Sequence, residues 1–240
     1  MDVRELHPWE VTPDEARRIQ RDLRGQIRLE DAVAPADIRV VAGVDNSYVQ
    51  RGEATTAYAV VVVFSFPALE LVETSFASAD IGFPYVPGLL SFREAPAILA
   101  AFRQVRTAPD VILFDGQGYA HPRRLGLASH LGLVLDRPSI GCAKSILVGR
   151  YEEPERTFGA ATPLVHDGET VGTAVRTRPR HKPLFVSPGH KVSLDTAVRI
   201  VLACCRENNF LPEPTRLAHD LITAHTRPLR QAAAAGPASG

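Results

Sequence analysis

The run Ala54 to Phe66, ATTAYAVVVVFSF, constrains this chain more than any other segment. It is β-branched and apolar, and it predicts a central strand. Its most apolar part, Ala57 to Phe66, is far too short to span a bilayer. The flanks extend the pattern. Ile38 to Tyr48, IRVVAGVDNSY, reads as a buried strand, and Gly52 supplies a turn. Pro67-Ala68 turns the chain again. Leu69 to Phe76 then alternates apolar and polar residues, as a third antiparallel strand does.

Downstream, helix and strand patterns alternate. Ser91 to Val105 predicts a helix, Val111 to Phe114 a short strand, Arg123 to Leu135 a helix, and Ser139 to Cys142 another strand. This order predicts an α/β fold with a mixed central sheet, flanking helices and acids at strand ends. A ribonuclease H-like fold has this plan. Upstream, Thr12-Pro13-Asp14-Glu15 has the form of a capping box, so a helix is expected from Pro13 to about Ile27. Its polar face is rich in arginine. Gly149 to Val186 reads as small strands and hairpins, with an Asp-Gly turn at His166 to Glu169. Ser193 to Arg206 is amphipathic and helical, and Thr215 to Ala224 predicts a last short helix. One domain is expected over residues 1–227, with 228–240 as a disordered tail.

The chain has 240 residues, 45% apolar and 22% charged, which is enough for one globular core without staples. Its N-terminus, MDVRELHPWE, lacks the basic and apolar regions of a signal peptide, so a cytoplasmic location is expected. Cys204 and Cys205 are adjacent and Cys142 stands alone, which suggests three buried thiols and no disulfide framework. The formal net charge is zero. A nucleic-acid partner therefore requires basic residues gathered on one face. Candidates are Arg123 with Arg124, and the run Arg176, Arg178, Arg180, His181, Lys182.

Asp45 lies inside an apolar strand pattern, and Asp115 ends another, VILFD. A lone carboxylate of this kind can simply cap a loop. Two on neighbouring strands favour a shared hard cation, because burying a charge otherwise costs several kcal/mol. Glu94, near a helix start, is equally explained by the helix dipole. Lys144, just after a short apolar strand, can hold a phosphate or simply extend into solvent. His121 and His219 can orient a ligand or be satisfied structurally. DGQGYAHPRRLG carries Gly116, Gly118 and Gly126, whose backbone can approach a flat base closely. In GFPYVPG, Tyr85 stands between prolines, either as a plate that unstacks bases or packed on its own core.

Together these segments resemble the endonuclease V family. The resemblance is carried by PYVPGLLSFRE (Pro84 to Glu94), DGQGYAHPRRLGLASHLG (Asp115 to Gly132), IGCAKS (Ile140 to Ser145), SPGH from Ser187, and EPTRLAH ending at His219. It covers roughly residues 10–225. It implies a ribonuclease H-like fold and hydrolysis with a divalent metal, magnesium, which manganese can replace. It also implies cutting at the second phosphodiester 3′ to a deaminated base, chiefly hypoxanthine, leaving 3′-hydroxyl and 5′-phosphate ends.

The resemblance also assigns residues. Asp45, Glu94 and Asp115 form the acidic metal site, with His219 beside the metal. Lys144 is the catalytic lysine and His121 a supporting active-site residue. Pro84, Tyr85, Val86 and Pro87 form the wedge. Leu90, Gly116, Gly126 and Leu147 surround the base. The expected partner is DNA containing deoxyinosine or another deaminated base, with a monomeric protein and no membrane. Inosine-containing RNA, or damaged-nucleic-acid binding without catalysis, are the alternatives.

Overall fold

The computed structural model describes residues 1–206 and 209–235. An amphipathic helix, α1 (Pro13–Arg24), opens with the predicted capping box, in which Thr12 and Glu15 satisfy each other's backbone. Three antiparallel strands follow: β1 (Val40–Arg51), β2 (Ala54–Ser65) and β3 (Leu71–Asp80). Then come α2 (Leu90–Gln104), β4 (Val111–Phe114), α3 (Leu127–Leu135) and β5 (Ser139–Ala143). β6 (Ala161–His166), β7 (Glu169–Val175), β8 (Leu184–His190), α4 (Leu194–Ala203) and α5 (Glu213–Ala235) complete the order.

All eight strands form one sheet, β3-β2-β1-β4-β5-β8-β7-β6. β4 pairs parallel with both β1 and β5, and the remaining pairs are antiparallel. The β3-β2-β1-β4-β5 portion is the mixed arrangement of a ribonuclease H-like fold.

The four-valine run explains itself in this setting. Val60, Val62 and Phe64 pack on one face with Ile200 of α4 and Ile222 of α5. Val61 and Val63 pack on the other with Ile98 and Phe102 of α2 and Leu131 of α3. A strand covered on both sides has no polar alternation to keep. β1 obeys the same two-residue period. Ala42 and Val44 face α2 and α3, whereas Val41 faces the α4 and α5 side. Gly43 shares that side, and a Cβ there would lie 2.2 Å from the Pro214 carbonyl carbon and oxygen. The missing side chain lets α5 rest directly on β1.

Several expectations need correction. The last helix does not stop near Ala224 and give way to a tail from residue 228: α5 continues to Ala235. Thr226 Oγ1 bonds Ser47 Oγ at 3.0 Å, and Arg230 Nε donates to the Tyr48 carbonyl at 3.0 Å. These contacts hold the extra turns on β1. Residues 236–240, the rest of that expected tail, lie outside the described residues. Cys142 and Cys204 are buried, but Cys205 is only partly so. α3 starts at Leu127 because Arg124 takes a left-handed φ of 58°. No helix among the described residues is long and apolar enough to cross a membrane.

Candidate metal centre and adjoining pocket

The parallel β1–β4 ladder sets two acids side by side. Val44 is in register with Phe114, and the Asp115 amide donates to the Val44 carbonyl at 3.2 Å. Asp45 and Asp115 are therefore the next residues on adjacent strands. Asp45 lies on the α5 side of β1, where His219 Nδ1 meets its Oδ2 at 2.8 Å. Asp45, Asp115 and His219 each offer a ligand atom, all within 4.8 Å of one another. Burial raises the pKa of Asp45, and the Asp115 charge raises it further, against the hydrogen bond from His219. Lys144 Nζ sits 2.5 Å from Asp115 Oδ2.

Glu94 does not supply one of the three ligand atoms within 4.8 Å, but it lies close enough for the Asp45 and Asp115 charges to act on it. It reaches the site from α2, on the other side of β1, where strand alternation also places Tyr48. Tyr48 donates to Glu94 Oε1 at 2.5 Å. Oε2 is buried without a hydrogen-bond partner among the described residues, as is Asn46 Nδ2. Burial pushes the Glu94 pKa up to about 7, with the Asp45 and Asp115 charges adding to the rise. These residues fit a hard divalent cation. The donors are carboxylate oxygens and one imidazole nitrogen, and an unpaired buried oxygen stands beside carboxylates that repel it.

A pH prediction arises here for the metal-free protein. With a folded pKa near 7 against an ordinary 4.5, folding takes up a proton on Glu94 between those values. That carboxyl therefore loses stabilisation as pH rises through the window, by roughly 3 kcal/mol at most. Thermal melts in chelator should show Glu94→Gln gaining on the parent from pH 5 to pH 8. A constant difference between the two would refute the raised pKa. The comparison isolates Glu94 from the buried histidines, which act in the opposite sense.

A cavity of about 400 Å³ adjoins the triad. Asp115 and Lys144 line it, and so do all four expected base-pocket residues: Leu90, Gly116, Gly126 and Leu147. Two of its walls, the segments around Gln117 and Gly126, pack with no room between them. A Cβ on Gly126 would meet the Gln117 carbonyl oxygen at 2.4 Å. Gln117 ties the third wall in place, its Nε2 donating to the Ser145 carbonyl at 2.7 Å. Tyr85, Val86 and Pro87 line the rim, while Pro84 is exposed and does not. The Tyr85 ring is 71% exposed, so it is not packed on the core.

His121 lines the same pocket as Asp115 and Lys144. Burial lowers its pKa to about 4, so the ring is neutral. Its Nε2 then donates to the Gly88 carbonyl at 2.9 Å, and its Nδ1 accepts from the Arg123 amide. Gln20 Nε2 and Arg123 Nη2 donate to that same carbonyl at 3.0 and 2.8 Å. Three donors thus pin the end of the Tyr85 loop, at a glycine with φ of 79°. Gln20 was missed in the sequence, although a signal existed. It falls on the buried stripe of α1 with Ala16 and Leu23, an odd place for an amide. Gln117 carried no comparable signal.

The expected basic surfaces are reduced as well. Arg124 is buried and paired with Glu169 at 2.8 Å, and Arg176 is buried against Glu153 at 2.5 Å. Both are internal braces.

The sequence model of endonuclease V matches residues 21–220. An endonuclease V of Gloeobacter violaceus is 54% identical over 90% of this chain and 87% of its own. The crystal structure of Bacillus subtilis endonuclease V superposes with a TM-score of 0.90 at 35% identity, covering 96% of this chain and 99% of that one. Ciona intestinalis endonuclease V, solved in complex with a 24mer DNA containing an inosine followed by a ribo-adenosine, gives 0.76 at 27% identity. That match covers 90% of this chain and 98% of the other. The paired aspartates on adjacent strands, the adjoining pocket and nearly full-length similarity lead to one assignment: the chain belongs to the endonuclease V family.

Proposed function

We propose that this protein cuts DNA beside a deaminated base, chiefly hypoxanthine, with magnesium, and that manganese can replace the magnesium. The cut falls at the second phosphodiester 3′ to the lesion and leaves 3′-hydroxyl and 5′-phosphate ends. One observation carries the reading: Asp115 belongs to both the acidic triad and the cavity lining, and Lys144, paired with it, lines the cavity too. The inosine-containing DNA held by the Ciona relative supports the choice of base.

The residues divide the work. Hypoxanthine differs from adenine by an oxo group and an N1–H. The Gly116 carbonyl can accept that hydrogen, a bond that adenine leaves unmade at about 1–3 kcal/mol, while Gly126, bonded to Gly118 and His130, shapes the wall. The base leaves the stack first, which costs a few kcal/mol and less at a mispair. Tyr85, held out by its pinned loop, fills the gap. Asp45, Asp115 and His219 would hold the ion, and Glu94 supplies a further oxygen behind them. When bound, the ion supplies an activated water and neutralises charge on the leaving oxygen. Lys144 presents its ammonium to the scissile phosphate from the pocket edge.

Cleavage of inosine-containing DNA and RNA in parallel, with magnesium and mapped ends, tests the reading. Cutting of the DNA at the second 3′ bond is expected, and no cutting of either strand rejects it. Tyr85→Ala should weaken binding of an inosine duplex about tenfold, while the magnesium needed for half-maximal cleavage stays the same. Unaltered lesion affinity would remove the wedge role.

A further inference from the structure

A chain of zero net charge cannot hold a polyanion by bulk attraction, so its phosphate contacts must be local. Helix α1 offers such a place. It buries Ala16, Gln20 and Leu23, and this sets Arg17, Arg21 and Arg24 at i, i+4 and i+7 along one stripe. Arg21 and Arg24 are exposed. At 1.5 Å per residue the stripe is about 10 Å long, comparable to three phosphate steps of one strand.

Arg123 joins the stripe to the pocket. Its Nε donates to Gln20 Oε1 at 2.5 Å, and its Nη2 bonds the Gly88 carbonyl in the pocket wall. Burial lowers its pKa, and the nearby Arg17 and Arg21 charges lower it further. Little opposes these cations. Asp14 takes Arg17 at 2.6 Å. Glu169, which the Arg24 charge also reaches, is occupied by Arg124 and by Tyr119 at 2.7 Å. Among the described residues, no carboxylate lies within 4 Å of Arg21, Arg24 or Arg123. Guanidinium forks match phosphate oxygens.

We propose that the arginine stripe of α1, continued by Arg123, is the track for the sugar-phosphate backbone flanking the flipped base. This rests on the functional reading above and adds where the strand runs. The track reads no bases, so it holds damaged and undamaged strands equally.

The test compares the parent with Arg21→Ala/Arg24→Ala and with Arg21→Lys/Arg24→Lys, both changed at exposed positions. Binding of an inosine-containing duplex and its adenine counterpart is followed by anisotropy, with calcium replacing magnesium, from about 50 to about 200 mM salt. The alanine variant should lose about 1.8 from the slope of log affinity against log salt. It should also bind both duplexes roughly 50-fold more weakly near 0.1 M salt. The lysine variant should keep most of the slope. In cleavage, the loss should appear in KM rather than kcat. An unchanged slope in the alanine variant overturns the track, as does a loss confined to the inosine duplex. A parent protein that neither binds nor cuts the inosine duplex removes the functional reading instead, so the two failures are distinct.

Discussion

Asp115→Ala should lower the cleavage rate about 10³-fold or more, equivalent to roughly 4 kcal/mol of transition-state stabilisation. Asp115 is the hinge of the site. It offers one of the three clustered ligand atoms, it holds Lys144 at 2.5 Å, and it lines the pocket. Its removal takes an oxygen from the cation and frees the lysine together. The fold should survive, because Asp115 is one of the charges that raise the Asp45 pKa, so its loss relieves a repulsion. Lesion binding should persist in part, since the pocket walls are built by Leu90, Gly126, Leu147 and the Gly88 clamp. Calcium should support that binding with little cutting in the parent protein, because it accepts looser geometry than magnesium. Single-turnover cleavage alongside calcium-supported binding separates these effects. Parent-level cutting by the alanine variant would dismiss the cation site.

The second large effect is expected far from any ligand. In Gly43→Val, the new Cβ lands 2.2 Å from the Pro214 backbone, well inside any tolerable contact. The helix must move, and α5 carries His219 to Asp45. Overpacking of this kind costs about 3 kcal/mol, which for a chain of this size lowers Tm by roughly 6–12 °C. More magnesium should be needed for half-maximal cleavage, because the imidazole no longer sits with the aspartates. Gly25→Ala is the control. Gly25 has an ordinary φ of −66° with nothing within 4 Å of an added Cβ, and alanine there should stabilise slightly. Melting curves for both variants decide the matter; an unshifted Tm for Gly43→Val would mean that α5 does not rest on β1 in solution.

Much of the architecture could be read without coordinates. The valine run of β2, the apolar approaches to Asp45 and Asp115, and the capping box of α1 are local signals of element type. Local signals fail where long-range contact overrides them. Weak helical pattern beyond Ala224 hid a helix that β1 stabilises through Ser47 and Tyr48. Arg124 and Arg176 look like surface charge in sequence, yet their partners Glu169 and Glu153 lie on other segments. Nothing in the local pattern around His121 shows that its ring holds the Gly88 carbonyl, 33 residues away.

The amino-acid order by itself determined the alternation of strands and helices, the placing of Asp45 within one apolar strand and of Asp115 at the end of another, and the motifs that mark the family. Those features depend on residue pattern over a few turns or pleats, where propensity and periodicity act directly. Tertiary structure alone decided that Asp45 meets His219 on one side of β1 while Glu94 meets Tyr48 on the other. It also decided that Gln20, His121 and Arg123 converge on one carbonyl. The reason is physical. Strand register and helix seating bring together atoms such as those of Asp45 and His219, 174 residues apart in the chain, and close-packed faces select which of them touch.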